Sequence, residues 1–406
     1  MVYKNPDRIG KKIKRNELIL MPWGEKTMEQ QREHFVKEVQ KGEQSKTALC
    51  AKYGISRVTG DKWLARYEAG EELSNQSRAP RTTPKRISPE VEEKIVSVRL
   101  KHPAWGARKI LRVLENNGET GLPAQSTVCE VLKRNGLVSE AASQAATPYK
   151  RFERKSPNEL WQVDFKGHFA TEDGKRCYPL TAIDDHSRFA LCVDAKTDER
   201  LEGVIVSFTR MFNEYGLPYA LLCDNGNPWG ASQSTGYTRF TVWMMKLDVH
   251  TIHCRPHRPQ TQGKEERFNR TLKAEALNHP IADLTQAQYR FDAFRDCYNY
   301  ERPHAALNMD CPASRYKPSQ RTLPNKILDW EYPSSYQIRK IKDSGYLSYN
   351  GWGCFLSEAL GGETVALHES NDPGRMDIFF RNYRIAVLDL AQRCLCSRKS
   401  YRVKSG

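Results

Sequence analysis

The stretch that most limits what this chain can fold into is 157–320. Strand-like runs at 160–165, 177–183 and 189–194 follow one another, the last two joined by the polar turn DDHSR (184–188). A helical pattern then covers 201–215, ended by Gly216 and Pro218, followed by a strand at 219–223. A helix at 237–247, a short strand at 249–252 and helices at 264–278 and 284–300 complete the stretch. Three successive strands followed by alternating helices and strands predict an α/β sheet covered by helices.

Three acids in this stretch sit where a structural role alone explains them poorly. Asp164 is the one carboxylate of the apolar strand in LWQVDFKGHF (160–169), and Asp224 follows the strand YALLC and opens DNGNPWG (224–230). The third acid follows PQTQG (259–263) at the start of the helix KEERFNRTLKAE (264–275). A buried carboxylate is costly unless a cation or hydrogen bonds compensate it, and three converging ones repel each other. Two Mg²⁺ ions, about 4 Å apart, use such a cluster to clamp the attacking and leaving oxygens of a phosphodiester. Mn²⁺ is expected to substitute.

Glu265 and Glu266 compete for the third position. At 100° per residue, Phe268, Leu272 and Ala276 form the apolar stripe, and Glu265 projects beside it. Glu266 shares a face with Asn269, Arg270 and Lys273, a set suited to holding metal and DNA phosphate together. Glu266 is therefore the expected ligand, so that Asp164, Asp224 and Glu266 are both the catalytic and the metal-binding residues. Asp184 and Asp185 are rival acids, but their turn setting beside Ser187 reads as structural.

The net charge of +15 points to a polyanionic partner, and it is uneven: residues 1–156 carry 31 Lys+Arg against 19 Asp+Glu. After an arm at 1–25, residues 26–69 read as three helices. The first starts at Met28, Ser45 caps the second, Gly54 turns the chain and Ser56 caps the third, a helix-turn-helix pattern. Leu49, Ile55, Trp63, Leu64 and Tyr67 are the expected core, leaving Arg57, Thr59, Lys62 and Arg66 for double-stranded DNA. Gly60 inside the third helix costs about 1 kcal/mol, which close approach to DNA would explain. A helical dimerisation module is the alternative. A linker at 70–87 carries Arg78, Arg81, Lys85 and Arg86, either tracking a phosphate backbone or merely spacing the modules. A second helix-turn-helix unit spans 88–138, with Ser88-Pro89 and Ser126 as helix starts and Arg108, Lys109, Arg112, Lys133 and Arg134 as its basic complement. Residues 139–156 read as a further linker.

Short strands with turn signals between 328 and 396 predict a small β-barrel, followed by a basic tail at 397–406. The 11 cysteines lack CxxC spacing, which favours reduced thiols in a cytoplasm. His253, Cys254 and His257 lack a second ligand pair and do not make a zinc site. No run approaches the ~18 apolar residues of a spanning helix, and LILMPW (18–23) is too short for a signal peptide, so a membrane role is not expected.

Asp164 in WQVDF, Asp224 in CDNG and Glu266 in PQTQGKEERFNRTLK resemble the DDE triad of the retroviral-integrase-like superfamily, which has an RNase-H-like catalytic core. The closer resemblance is to bacterial insertion-sequence transposases. It extends over MPWGEKTMEQ (21–30), YGISRVTGDKWLARY (53–67), HPAWGARKI (102–110), IDDHSR (183–188) and NYERPHAAL with PASRY (299–316). The chain departs from the pattern at His257-Arg258, where relatives often carry Tyr-His, and at Asp61, where many carry an aromatic. The resemblance implies binding to the inverted-repeat ends of a mobile element, Mg²⁺-dependent cleavage that leaves a 3′-OH, and transfer of that end into target DNA. It also implies a homo-oligomer, dimer or tetramer, working on the bacterial nucleoid. A DNA-binding regulator without catalysis and a nuclease without strand transfer are the competing functions. The intact triad speaks against the first, and two end-reading modules speak against the second.

Overall fold

The computed structural model describes residues 27–75, 87–138, 153–230, 237–254, 263–397 and 401–402, the last two and Ser397 as backbone only. It divides into two compact units, Met1–Arg86 and Ile87–Gly406.

The first unit holds α1 (Met28–Lys41), α2 (Lys46–Lys52) and α3 (Arg57–Glu68). Their starts are chemical. Thr27 and Gln30 form a reciprocal capping box, and the Ser45 and Ser56 side chains accept from the third backbone N–H of their helices. Phe35, Val36, Leu49 and Cys50 form the core, with Ile55, Trp63 and Leu64 packed against it. Tyr67, expected in that core, is exposed. Gly60 is needed for a different reason from the expected one. A Cβ there would meet Cys50 Sγ at 2.8 Å and Phe35 Cζ at 3.0 Å, so the glycine permits helix packing inside the module and does not face DNA.

The second unit begins with α4 (Pro89–Lys101), α5 (Ala107–Asn116) and α6 (Gln125–Arg134) around Ile95, Trp105, Ile110, Leu114, Val128 and Val131. Ser88 caps α4. The expected cap at Ser126 is displaced: Ala124 occupies the cap position of α6 and makes no side-chain bond there.

The α/β core contains β1 (Trp161–Phe165), β2 (Phe169–Ala170), β3 (Arg176–Asp184), β4 (Ala190–Lys196), β5 (Ala220–Cys223) and β6 (His250–His253). β1 pairs antiparallel with β3 and parallel with β5, β3 pairs antiparallel with β4, and β5 pairs parallel with β6. One face packs on α7 (Leu201–Tyr215) and α8 (Arg239–Lys246) through Trp161, Val163, Leu191, Phe208, Phe212 and Phe240. The other packs on α9 (Gly263–Glu275) and α10 (Leu284–Asp296) through Ile183, Val193, Phe268, Leu272 and Phe291. Strand alternation thus sends Trp161 and Val163 to the α7 face, and Gln162 and Asp164 to the α9 face. The helix expected over 284–300 ends in a π-helical turn at Cys297–Glu301, where buried Asn299 exchanges hydrogen bonds with the backbone of Ala190 at 2.8 and 3.0 Å.

The C-terminal strands do not close into the expected barrel. Among the described residues, β7 (Gln337–Lys340), β10 (Thr364–Glu369), β11 (Arg375–Phe380), β12 (Tyr383–Asp389) and β13 (Cys394–Ser397) lie side by side, with β14 (Tyr401–Arg402) also on β12. The edges do not pair with each other, while β8 (Tyr346–Tyr349) and β9 (Trp352–Phe355) form a separate hairpin. Leu347 and Leu356 of the hairpin segment and Val242 and Met245 of α8 share one core with the sheet. The apolar face is covered by a hairpin and a helix, so closure is not required. Short alternating strands read alike in either case.

Candidate active site and nucleic-acid interface

Asp164 lies on β1 opposite Thr181 of β3, whose hydroxyl donates to the Asp164 carbonyl at 3.1 Å. From α9, Asn269 Nδ2 donates to Asp164 Oδ2 at 3.2 Å. Burial, reinforced by the Asp224 charge and more weakly by Glu199 and Glu266, pushes the Asp164 carboxyl up to about 7.

Asp224 stands where β5 ends. The Gly226 N–H donates to Asp224 Oδ1 at 3.0 Å, and a Cβ on Gly226 would lie 3.1 Å from Asp224 Oδ2. His253 Nδ1 lies 2.9 Å from the Asp224 carbonyl oxygen, and Asn225 Nδ2 donates to the Cys254 carbonyl at 2.8 Å. Trp229, buried between Phe208 and Phe240, anchors the far side of the turn. His253 is thus part of the turn that holds Asp224; His257 and Arg258 lie outside the described residues.

The two glutamates of α9 have opposite environments. Phe268, Leu272 and Ala276 are buried, and Glu265 is buried with them; Glu266 is exposed. Burial raises the Glu265 carboxyl well above the usual range, with Asp164 adding to the shift. Glu266 remains in water and within electrostatic reach of Asp164. Arg270 and Lys273 are exposed beside it, whereas Asn269 turns inward to Asp164. Lys166, two residues beyond Asp164 and close to Lys273, is a further cation that the same strand alternation would have revealed.

Among the described residues the three acids do not themselves crowd into a tight set. The one group of three ligand atoms within 4.8 Å of each other is His102, Cys297 and Glu301. Lys101 and Arg302 act on both His102 and Cys297, and Lys101 reaches Glu301 at 3.4 Å. Glu275 acts on His102 and Cys297 as well, so the group sits among paired charges of mixed sign where the end of α4 meets the core.

The basic residues expected to meet DNA fall into two classes. Arg57, Lys62, Arg108 and Lys133 are exposed. Thr59 is half-buried and bonded to the capping Ser56, and Arg66 is turned onto its own module, donating to the Ser74 carbonyl at 3.1 Å and to the Glu72 carbonyl. Arg134 forks onto Glu92, and Arg112 donates to Asp310 at 3.1 Å. Lys109 is half-buried against Arg302 and Glu275; burial and the Arg302 charge bring it down to about 7. Asp61 pairs with Lys46 at 2.5 Å, a clip between α3 and α2 that has no need of an aromatic. Arg78, Arg81, Lys85 and Arg86 lie outside the described residues.

Family models match this architecture piece by piece. Integrase core domain models match residues 154–259 and 247–312, and the C-terminal domain of IS481 family transposases matches 336–394. A helix-turn-helix domain matches 31–81 and a homeodomain-like domain matches 59–132. The chain is similar to insertion-sequence transposases built on an integrase core. A transposase described for insertion sequence element IS5376 of Geobacillus stearothermophilus is 22% identical over 91% of this chain and 90% of its own length. A 31.7 kDa protein of insertion element IS407 from Burkholderia multivorans is 31% identical over 45% of this chain. That match spans 61% of the Burkholderia protein's length. Among solved structures, the HTLV-2 integrase catalytic core with magnesium covers 40% of this chain at 16% identity and a TM-score of 0.31, and 99% of that chain is covered. A simian T-cell lymphotropic virus intasome chain covers 71% at 16% identity and a TM-score of 0.35, with 96% of it matched. The chain thus carries helix-turn-helix modules, and no helix among its described residues is long and apolar enough to cross a membrane.

Proposed function

We propose that the chain is a divalent-metal-dependent DNA transposase that cuts the phosphodiester at the inverted-repeat ends of an insertion sequence and joins the freed 3′-OH to target DNA. The observation carrying this reading is the Asp164 carboxyl, pushed up to about 7 with Asp224 and Glu266 both adding charge of the same sign. Like charges around a buried carboxyl are relieved by a bound cation. An all-carboxylate donor set suits Mg²⁺, with Mn²⁺ as a substitute. Bound at Asp164, Asp224 and Glu266, such ions would activate a water and stabilise the leaving oxygen.

The chain's own residues orient and bind. Asn269 holds the Asp164 carboxylate, the Gly226 N–H and the His253 ring hold Asp224 and its turn, and Arg270, Lys273 and Lys166 offer cations to the DNA backbone. Arg57 and Lys62 of α3, with Arg108 and Lys133 of the second module, are the exposed cations for end DNA. Two copies or four would pair two ends in a bacterial cytoplasm.

The test incubates purified protein and Mg²⁺ with a labelled duplex carrying the inverted repeat that borders the encoding gene, together with a target plasmid. Joined products support the reading. Cleavage without joining makes the protein a nuclease, and specific binding without either makes it a regulator.

A further inference from the structure

The adjacent acids Asp184 and Asp185, both read from sequence as parts of a turn, do different things. Asp184 closes the turn, accepting from the Ser187 N–H at 2.7 Å and hydroxyl at 2.6 Å and from the Asn158 N–H at 2.8 Å. Asp185 reaches out of it. Its carboxylate accepts from the Arg154 N–H at 2.7 Å, from Gln162 Nε2 at 2.6 Å and from Lys264 Nζ at 2.5 Å. Lys264 Nζ also donates to the Asp185 carbonyl at 3.0 Å. The Asp185 side chain is 0% exposed and that of Lys264 13% exposed.

Gln162 lies two residues before Asp164 on the same face of β1, and Lys264 lies two residues before Glu266 on α9. The brace therefore joins the strand of one acid to the helix of another. It acts where apolar packing is thin: the first buried apolar side chain of α9 is Phe268, and ahead of it only Glu265 is buried. A helix start is the part of a helix with fewest internal bonds, so the first turn depends on such outside contacts.

We propose that Lys264, seated on Asp185, whose carboxylate also holds Gln162 of β1, is a positioning residue that sets where α9 begins and thereby how Glu266 approaches Asp164. This rests on the reading of Asp164, Asp224 and Glu266 as the reacting site. The proposal assigns Lys264 no contact with DNA or metal; it acts through the backbone that carries Glu266. A misplacement of about 1 Å in a reacting group costs on the order of 10²-fold in rate.

The experiment compares full-length wild type with Lys264→Met, Lys264→Arg and Asp185→Asn, and with Glu266→Gln as the inactive control. Amide exchange over 264–268 is measured without DNA, Mn²⁺ binding is titrated, and cleavage of the inverted-repeat duplex is followed in single turnover over a range of Mn²⁺. For Lys264→Met we expect unchanged DNA binding, at least about 10-fold faster exchange in the first turn, about 10²-fold slower cleavage and a raised Mn²⁺ requirement. Lys264→Arg should recover much of both, and Asp185→Asn, which preserves shape, should reproduce the defect if Lys264→Met fails to fold. The proposal is overturned if exchange in the first turn is unchanged, or if it quickens while the cleavage rate and Mn²⁺ dependence stay at wild type. If wild type cleaves no DNA, the proposed function fails by itself. Exchange and Mn²⁺ binding then decide the brace: faster exchange with weaker Mn²⁺ binding supports it, and either one unchanged rejects it.

Discussion

Two clusters of charge in the second unit invite comparison. The charges that act on the Asp164 carboxyl are of one sign, and burial with Asp224 drives it upward. At the junction of α5 with the core the signs are mixed: Arg302 Nε meets Glu275 at 3.0 Å, Lys109 lies beside both, and Arg112 meets Asp310 at 3.1 Å. A cluster of like charge stores repulsion that an opposite ligand relieves, whereas paired charges already have their partners. The first arrangement is that of a binding site, and the second that of a joint. Basic residues drawn from one motif can therefore serve either purpose, and counting them in sequence does not separate the two.

The sharpest test of that contrast is in the acidic cluster. Asp224→Asn or Glu266→Gln should lower cleavage of end DNA by on the order of 10³-fold, measured in single turnover. Glu265→Gln should stay within about threefold, because its carboxyl is buried among the apolar residues of α9 and burial disfavours its charged form. If Glu265→Gln abolishes cleavage and Glu266→Gln does not, the roles of the two glutamates are reversed.

At the joint the large effect should be on stability. The Arg302 and Glu275 side chains are 12% and 13% exposed, so Arg302→Leu strands a buried carboxylate at a cost of about 3–5 kcal/mol. Urea unfolding should show most of that loss restored in the double variant with Glu275→Leu. A double variant as unstable as the single one would mean that the pair is not the source.

Acid should loosen the same joint. Burial, with Arg302 and Lys109 nearby, holds His304 down to about 3, so the unfolded chain takes up the proton first. The histidine's contribution is complete above its ordinary pKa of about 6.5 and is lost progressively as pH falls toward 3, by at most about 1.4 kcal/mol per pH unit. A pH series of unfolding midpoints should show that slope diminished in His304→Gln.

Asp164 carries the opposite sign. Its folded value is raised to about 7, so its charge destabilises the metal-free fold increasingly from pH 4 to 7 and fully above that range. Asp164→Asn should therefore raise the melting temperature at pH 8 by at least roughly 2–4 °C, the effect of about 1 kcal/mol in a domain of this size, since a rise of about three pKa units corresponds to up to about 4 kcal/mol. At pH 4 it should change little. An equal rise at both values would point to packing instead of charge.

The smallest effects separate exposed cations from those turned to the core. Lys62→Ala should weaken end-DNA binding and reduce its salt slope by about one, while Lys109→Met should leave both unchanged. A slope change from Lys109→Met would make the joint part of the DNA interface.

Local structure was legible where local chemistry writes it. Ser45, Ser56 and Ser88 carry their cap in a side chain, and the Phe268, Leu272 and Ala276 stripe follows from helical period alone. Strand alternation sufficed to set Asp164 on one face of β1. The cap at Ala124 was not legible, since alanine has no group to announce it. The unclosed C-terminal sheet was not legible either, because pairing between its edges depends on what covers its face and not on any one strand.

What the sequence by itself determined is therefore the order of helices and strands, the excess of positive charge in the first third and the identity of three isolated acids in telling contexts. All of these are properties of nearest neighbours along the chain. Tertiary structure alone decided that Lys109 and Arg112 face the core while Lys62 remains exposed, and that Asp185 grips Lys264. The physical reason is that burial and pairing depend on groups far along the chain, 198 positions away for Arg112 and Asp310, and each charge takes its role from the partner it finds there.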